Sequence, residues 1–478
     1  MARLVGPVGP ASAEPAYRWL AARLRALVLE GRLMPETKLP GERSLATALG
    51  VSRTTITHAF DLLREDGFVE SRHGSGSVVN LPQSASVGPL GWLAGTAGED
   101  VIDLSTAALP ASSGVMAAYE AAMGELLPHL NGMGFYGAGL PALREAVARH
   151  YRAEGVETSA DQILITQGAL HSFHLVLDCL CGPGDRAIVD NPTYPPVLDR
   201  LRQARVEAVP VSLTGGGWDL EDIEAAIRQT APRCAYVIAD FHNPTGADMD
   251  TEMRGDLVAL ARATRTHLIA DETMRGLRFG GAATPPLSAF DPDGTTVIAL
   301  GSMGKGFWGG LRIGWVRADA RLITRLGQRR ATIDVASPVL EQLAATHLLG
   351  GADAGLEARC ALARAQRDHL VALLEDRLPD WRVPAPDGGL SLWIELPGPW
   401  AAEMEREAER FGVRIVAGPR FGVAAAGGFH HFVRMTYARS MPDLDEGIDR
   451  LGKAWDALAA RMGSGAGLSE APPATILT

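Results

Sequence analysis

The feature that most limits how this chain can fold is an alternation. From Val101 to about Met462, short apolar runs (QILIT, RAIVD, AYVIAD, HLIAD, TVIALG) are separated by longer stretches whose apolar residues recur at helical spacing. Each run suits a strand buried on both faces, and strands separated by helices pair in parallel. The pattern predicts an α/β domain with a mostly parallel sheet. Ligands of such sheets gather beyond the carboxyl ends of the strands, and several of these runs end where chemically suggestive residues begin.

The most informative stretch follows TVIAL: GSMGKGFWGGLRIGW, residues 301–315. Lys305 stands there among Gly304, Gly306, Gly309 and Gly310, and small neighbours let a planar ligand approach the backbone. A shielded lysine with a depressed pKa forms a Schiff base with an aldehyde. Ser302 and Arg312 suit a phosphate, the arginine through a forked pair of charged hydrogen bonds. An aldehyde, an aromatic ring and a phosphate together describe pyridoxal 5'-phosphate (PLP). Other strand ends add to this. Gly168 and Ala169 sit at a strand-to-helix turn able to hold a phosphate, and Tyr194 offers a face for a pyridine ring. Asn243 in HNPTG is an amide for a phenolic oxygen. Asp271 in LIADET needs a partner for its charge, which a protonated pyridine nitrogen supplies. Arg434 in HHFVRMTYA is a fork for a carboxylate. Taken singly, these also read as a tight turn, a rim tyrosine, a turn-forming Asn-Pro and a capping aspartate.

The front of the chain is organised differently. Trp19, Leu20, Leu24, Leu27 and Val28 predict a helix from Tyr17 to Glu30. GERSLATALGVSRTTITHAFDLLREDGFV then reads as two helices around a turn at Gly50, with Ser52 as N-cap and Ile56, Phe60 and Leu63 as apolar face. FVESRHGSGSVVN reads as a hairpin with His73 and Gly74 at its tip. The helix, helix-turn-helix, wing order over LPGERSLATALGVSRTTITHAFDLLREDGFV and HGSGSVV resembles the winged helix-turn-helix of the GntR family. That resemblance implies DNA contacts by Arg43, Ser52, Arg53, Thr54, Thr55, His73 and Gly74 on double-stranded promoter DNA. Thr57 stands where some relatives carry a base-reading basic residue.

Asn243, Asp271 and Lys305, in that order and spacing and with FYGAGLPALREAVARHY near the domain start, resemble fold-type I PLP enzymes of the class I/II aminotransferase group. The resemblance implies a small C-terminal α+β subdomain and PLP bound covalently at Lys305. It further implies Asp271 on the ring nitrogen and Asn243 at the ring hydroxyl. Arg312, Ser302, Gly168 and Ala169 would hold the phosphate, Tyr136 the phosphate of a neighbouring subunit, and Arg434 an amino-acid carboxylate. Most relatives place a tyrosine two or three residues after the aspartate; here Thr273 and Met274 stand there, Thr273 remaining a candidate cofactor contact. The two halves together resemble the MocR family of transcriptional regulators, which implies a head-to-tail homodimer that senses PLP or an amino compound, in the control of vitamin B6 or amine metabolism. A working aminotransferase with an appended DNA-binding module is the rival reading, and a body that has lost PLP is a third.

The expected boundaries are 12–80 for the winged unit, 81–100 for a Pro/Gly/Ser/Ala-rich linker, 101–462 for the large domain and 463–478 for a disordered tail. Residues 1–80 hold ten Lys/Arg against eight Asp/Glu, while the whole chain carries −11. A slightly basic front on an acidic body fits nucleic acid at the front alone. Cys179, Cys181, Cys234 and Cys360 form no CxxC pair or zinc-ligand spacing; reduced thiols, a cytoplasmic setting and no metal are expected. No apolar run is long enough to span a membrane.

Overall fold

The computed structural model describes residues 1–6, 15–29, 33, 37–72, 76–79, 101–213, 217–291, 294–423 and 428–463. His73 and Gly74, the expected linker and the tail beyond Gly463 lie outside the described residues.

The front unit comprises α1 (Ala2–Val5), α2 (Ala16–Leu29), α3 (Glu42–Leu49), α4 (Arg53–Glu65), β1 (Val69–Arg72) and β2 (Gly76–Val79). Helix α4 starts where Ser52 is extended and its Oγ accepts the Thr55 amide at 3.1 Å. Its buried stripe Ile56, Ala59, Phe60 and Leu63 follows the helical repeat. Helix α3 stops at Gly50, whose φ of 68° is left-handed, a conformation glycine adopts without a Cβ penalty. Strands β1 and β2 pair antiparallel from Val69↔Val79 to Arg72↔Gly76. Leu20, Leu24 and Leu27 of α2 close this core with the α4 stripe. Val5 is buried in the same cluster, so the packed unit reaches ahead of residue 12.

The large domain is built on a seven-stranded sheet in the order β4-β10-β9-β8-β7-β5-β6. Its strands are β4 (Ile163–Thr166), β5 (Arg186–Asn191), β6 (Glu207–Ser212), β7 (Cys234–Val237), β8 (His267–Asp271), β9 (Val297–Ser302) and β10 (Gly314–Arg317). Pairs β9–β8, β8–β7, β7–β5 and β5–β6 are parallel, and β10 runs antiparallel to both neighbours. The expected mostly parallel sheet is present, and each predicted apolar run lies on one of its strands.

Alternate strand residues feed different cores, as a two-residue repeat requires. On one face Tyr236, Ile269, Ile298, Leu300 and Val316 pack under α8 (Ala169–Leu180), α9 (Pro195–Ala204) and α13 (Ala320–Arg330). On the other, Ala299 and Trp315 meet α5 (Gly114–Glu125), α7 (Pro141–Ala153) and α14 (Val339–Gly350). Leu268 and Ala270 share that second face with α10 (Leu220–Thr230) and α11 (Thr251–Thr264). The smaller subdomain has an antiparallel sheet β11-β14-β13, with β11 (Ser391–Glu395), β13 (Val416–Ala417) and β14 (Phe432–Thr436). Helices α15 (Ala352–Arg377), α16 (Ala401–Arg410) and α17 (Met441–Gly463) cover it. Strand β12 (Val413–Arg414) pairs with β3 (Ile102–Asp103), which ties the start of the domain to its end. The short helices α6 (Leu127–Leu130) and α12 (Met303–Gly306) complete the described elements used below. Among the described residues no helix is long and apolar enough to cross a membrane.

Candidate functional site

The carboxyl ends of β7, β8 and β9 gather the predicted residues. Tyr236 pairs with Ile269, so the side chain of Asp271, two residues further along β8, lies on the same face as Tyr236. The Tyr236 hydroxyl donates to Asp271 Oδ2 at 2.5 Å, and the Thr273 amide donates to Oδ1 at 3.0 Å. A buried carboxylate is costly without donors, and here both oxygens have one. Burial and the neighbouring Asp271 charge raise the Tyr236 phenol well above its ordinary range.

Strand β9 ends at Ser302, which caps α12 by accepting the Gly304 amide at 3.0 Å. Lys305 sits in that single turn, and its Nζ donates to the Ala107 carbonyl at 2.5 Å. Burial, helped by the positive charge of Arg434 and opposed by Asp271, lowers this amine to about 8. A lysine so shifted keeps a useful neutral fraction near neutral pH. Arg434, on β14, donates through Nη1 to Asn243 Oδ1 at 3.4 Å and through Nη2 to the Ser105 carbonyl. Its Nε is buried with no hydrogen-bond partner among the described residues. Burial lowers it to about 10, against the pull of Tyr194 and Asp103. Tyr194 opens α9, and burial with the Asp271 charge pushes its phenol up to about 12.

The phosphate candidates form a separate cradle. Gly168, with φ of 102°, precedes the first turn of α8 at Ala169. A Cβ on Gly168 would stand 3.2 Å from Arg312 Nη2, and one on Gly314 would fall 2.7 Å from the Cα of Gly168. Both glycines therefore permit the approach of the guanidinium to the helix N-terminus, where free amides and the dipole favour an anion. Arg312 Nη2 is held by the Gln167 carbonyl at 2.7 Å. Tyr136 stands apart, its hydroxyl 2.8 Å from His129 Nδ1.

In the front unit, Arg53 begins α4 with its side chain 72% exposed and its Nε 3.3 Å from Glu42 Oε2. Thr54 is exposed beside it, Thr55 is half-buried, and Thr57 Oγ1 donates to the same Glu42 oxygen at 3.0 Å. Arg43 and Arg53 line one surface concavity with Ser44 and Thr47. The Ser52 hydroxyl is engaged in the cap, so its first role is to start the helix.

Residues 99–451 match the family model of aminotransferase class I and II. The chain belongs to that family. Residues 16–79 match the model of bacterial regulatory proteins of the gntR family. Among curated relatives, the uncharacterized HTH-type transcriptional regulator YdcR of Escherichia coli (strain K12) is 29% identical, over 91% of this chain and 98% of its own length. The probable rhizopine catabolism regulatory protein MocR of Rhizobium meliloti is also 29% identical, over 79% of this chain and 81% of its own. Among solved structures, LysN, the alpha-aminoadipate aminotransferase of Thermus thermophilus, was crystallised with N-(5'-phosphopyridoxyl)-L-leucine. It superposes with a TM-score of 0.68 at 26% identity, over 76% of this chain and 94% of its own.

Within this aminotransferase-family domain, motif reading missed Tyr236 and the Ala107 and Ser105 carbonyls that hold the two cations. The signal for Tyr236 was present in AYVIAD, since a tyrosine on the inward face of a buried strand needs a partner for its hydroxyl. The positions after Asp271 divide their roles. Thr273 serves the carboxylate through its main chain and borders a cavity with Glu272. Met274 is 3% exposed in the apolar core shared with the smaller subdomain, so no hydroxyl is supplied from that position.

Proposed function

We propose that this chain is a DNA-binding transcriptional regulator whose large domain holds PLP and, through it, answers an amino compound. The observation carrying the reading is the convergence of Lys305, Asp271, Asn243 and Arg434 behind a winged helix-turn-helix unit. The residues fit the cofactor: a buried acid with both oxygens oriented, an amine with a depressed pKa, an arginine nitrogen without a partner, and a cradle that a Cβ on Gly168 would fill. When bound, PLP supplies an aldehyde that condenses with primary amines and a ring that accepts electrons. Asp271 would keep the ring nitrogen protonated, with Tyr236 and Thr273 holding the carboxylate in place. Arg312 and the start of α8 would take the phosphate, Ser302 beside them. Arg434 would receive the carboxylate of an amino acid, its Nε being the unfilled donor.

A second copy of the chain is part of this reading. Met116, Met123, Leu127, Leu130, Met133 and Phe135 are between 58 and 86% exposed along α5, α6 and the following turn. A run of large apolar side chains of that kind supports an association face, and Tyr136 adjoins it. In a homodimer two winged units would face repeated half-sites, and the ligand would act only through its differential affinity for their arrangements.

Lys305→Ala is the direct test. The purified variant is expected to lose the visible absorbance of lysine-bound cofactor, and retention of the parent spectrum would overturn the assignment. Arg53→Ala is expected to weaken binding to the chain's own promoter region and to lower the salt slope by about one, with cofactor absorbance unchanged. Steady multiple turnover of an amino donor and a keto acid would instead favour the enzyme reading.

A further inference from the structure

On the sheet face opposite Asp271, the described residues enclose a second cavity of about 120 Å³. Leu277, Phe307, Trp315, Leu349 and Leu356 give it apolar walls. Gly301 permits it to have this shape, because a Cβ there would lie 2.1 Å from the Trp315 ring. The carboxyl of Glu272 belongs to the polar part of the lining, with Glu154, Thr273, Arg275 and Ser302. Its Oε2 accepts the Tyr151 hydroxyl at 2.7 Å, and that hydroxyl oxygen in turn accepts Trp315 Nε1 at 3.2 Å. Its Oε1 is buried with no donor among the described residues.

The neighbouring cation does not serve it. Arg275 donates Nε to Glu154 at 2.7 Å, Nη1 to Asp240 at 3.0 Å and Nη2 to the Thr284 carbonyl at 2.7 Å. Burial accordingly raises the Glu272 acid to about 7, opposed by Arg275 and Tyr151 and reinforced by Glu154 and Asp240. His150 and Glu154 form the more open rim, 42% and 28% exposed. One buried acceptor lacking a donor among the described residues, in a cleft with a second acid at its rim and the aromatic rings of Phe307 and Trp315 in its wall, is complementary to a cationic donor on a hydrocarbon stem.

We propose that this cavity is a binding site for a small aliphatic primary amine, its ammonium donating to Glu272 Oε1 and its chain lying against Phe307 and Trp315. The size agrees: a cavity of about 150 Å³ accommodates benzene, so a stem of four carbons fits here. Lys305 is not part of the lining, but Ser302 and Thr273 are, which puts the occupant next to Thr273, whose amide holds the Asp271 carboxylate.

The test is calorimetric titration of n-butylamine into the full-length protein after borohydride treatment, which blocks amine exchange at Lys305 if cofactor is there and does nothing if it is not. The expected result is saturable binding of one equivalent per chain, with 1-butanol at least about tenfold weaker, the loss of one charged hydrogen bond. Glu272→Gln keeps the Tyr151 contact and removes the charge, and is expected to weaken the amine about tenfold. Leu349→Phe adds bulk to the lining and is expected to do the same with the carboxyl intact. No saturable uptake, equal binding of the alcohol, or affinity unchanged in both variants would overturn the proposal.

Discussion

Asp271 and Glu272 are neighbours at one strand end, yet the two faces of the sheet treat them differently. Asp271 receives a donor on each oxygen, from Tyr236 and from the Thr273 amide. Glu272, in the lining of the second cavity, receives one donor, from Tyr151, and has an oxygen with no donor among the described residues. Asp271 is buried and Glu272 half-buried, and it is in the supply of donors that the two differ most. The first is held by a donor on each side; the second takes up a proton near neutrality. Successive side chains on a strand point to opposite faces, which lets adjacent residues occupy unrelated environments.

The largest effect should separate them on the cofactor. Asp271→Ala removes the counter-charge and leaves the Tyr236 hydroxyl buried without its acceptor, so PLP affinity should fall about a hundredfold or more. Glu272→Gln should leave PLP affinity within about threefold. Spectroscopic titration of PLP into each variant measures both. Equal losses would break the division between faces.

Next in size is the pH dependence of stability. Glu272 is raised in the folded chain from 4.5 to about 7. Between about pH 4.5 and about 7 the folded chain holds a proton there that the unfolded chain has released, so this residue's contribution falls as pH rises and is flat above that window. The decline is on the order of 3–3.5 kcal/mol at most. Glu272→Gln should flatten it, read as the melting temperature of the large domain across pH 4–8. Asp271→Asn should leave it in place.

What the sequence exposed and what it hid follows the same lines. The strand runs, the Ser52 cap, the Gly50 turn and the cluster around Lys305 rest on local spacing, and local spacing is visible in one dimension. Asp271 could be picked out because an acid closing an apolar run is conspicuous. Its partner Tyr236 lies 35 residues earlier on another strand, and Tyr151 lies 121 residues from Glu272; contacts at such separation are set by register and packing. Glu272 carries no such signal, and only the enclosure by α7, β10 and α14 gives it a role. The main-chain carbonyls that hold Lys305 and Arg434 leave no mark on residue identity at all.

The smallest and most discriminating difference lies in the two tyrosines. Each donates its hydroxyl to one of the paired acids, so Tyr236→Phe and Tyr151→Phe delete the same atom on opposite faces. The Tyr236 bond is the shorter, at 2.5 Å, and its acceptor is a carboxylate that cofactor binding would need charged; bonds to charged groups contribute about 1.5–3 kcal/mol. Tyr236→Phe should therefore weaken PLP binding about tenfold or more and shift the pH profile of the bound chromophore. The Tyr151 bond, at 2.7 Å, serves an acid that shares its proton near neutral pH, where a neutral bond is worth about 1 kcal/mol. Tyr151→Phe should lower the melting temperature slightly and raise the Glu272 pKa further, since a donor to the charged form is gone, while leaving the chromophore unmoved. If Tyr151→Phe shifted the chromophore as far as Tyr236→Phe, the two faces would be electrostatically one site, and the separation between the two acids would have to be abandoned.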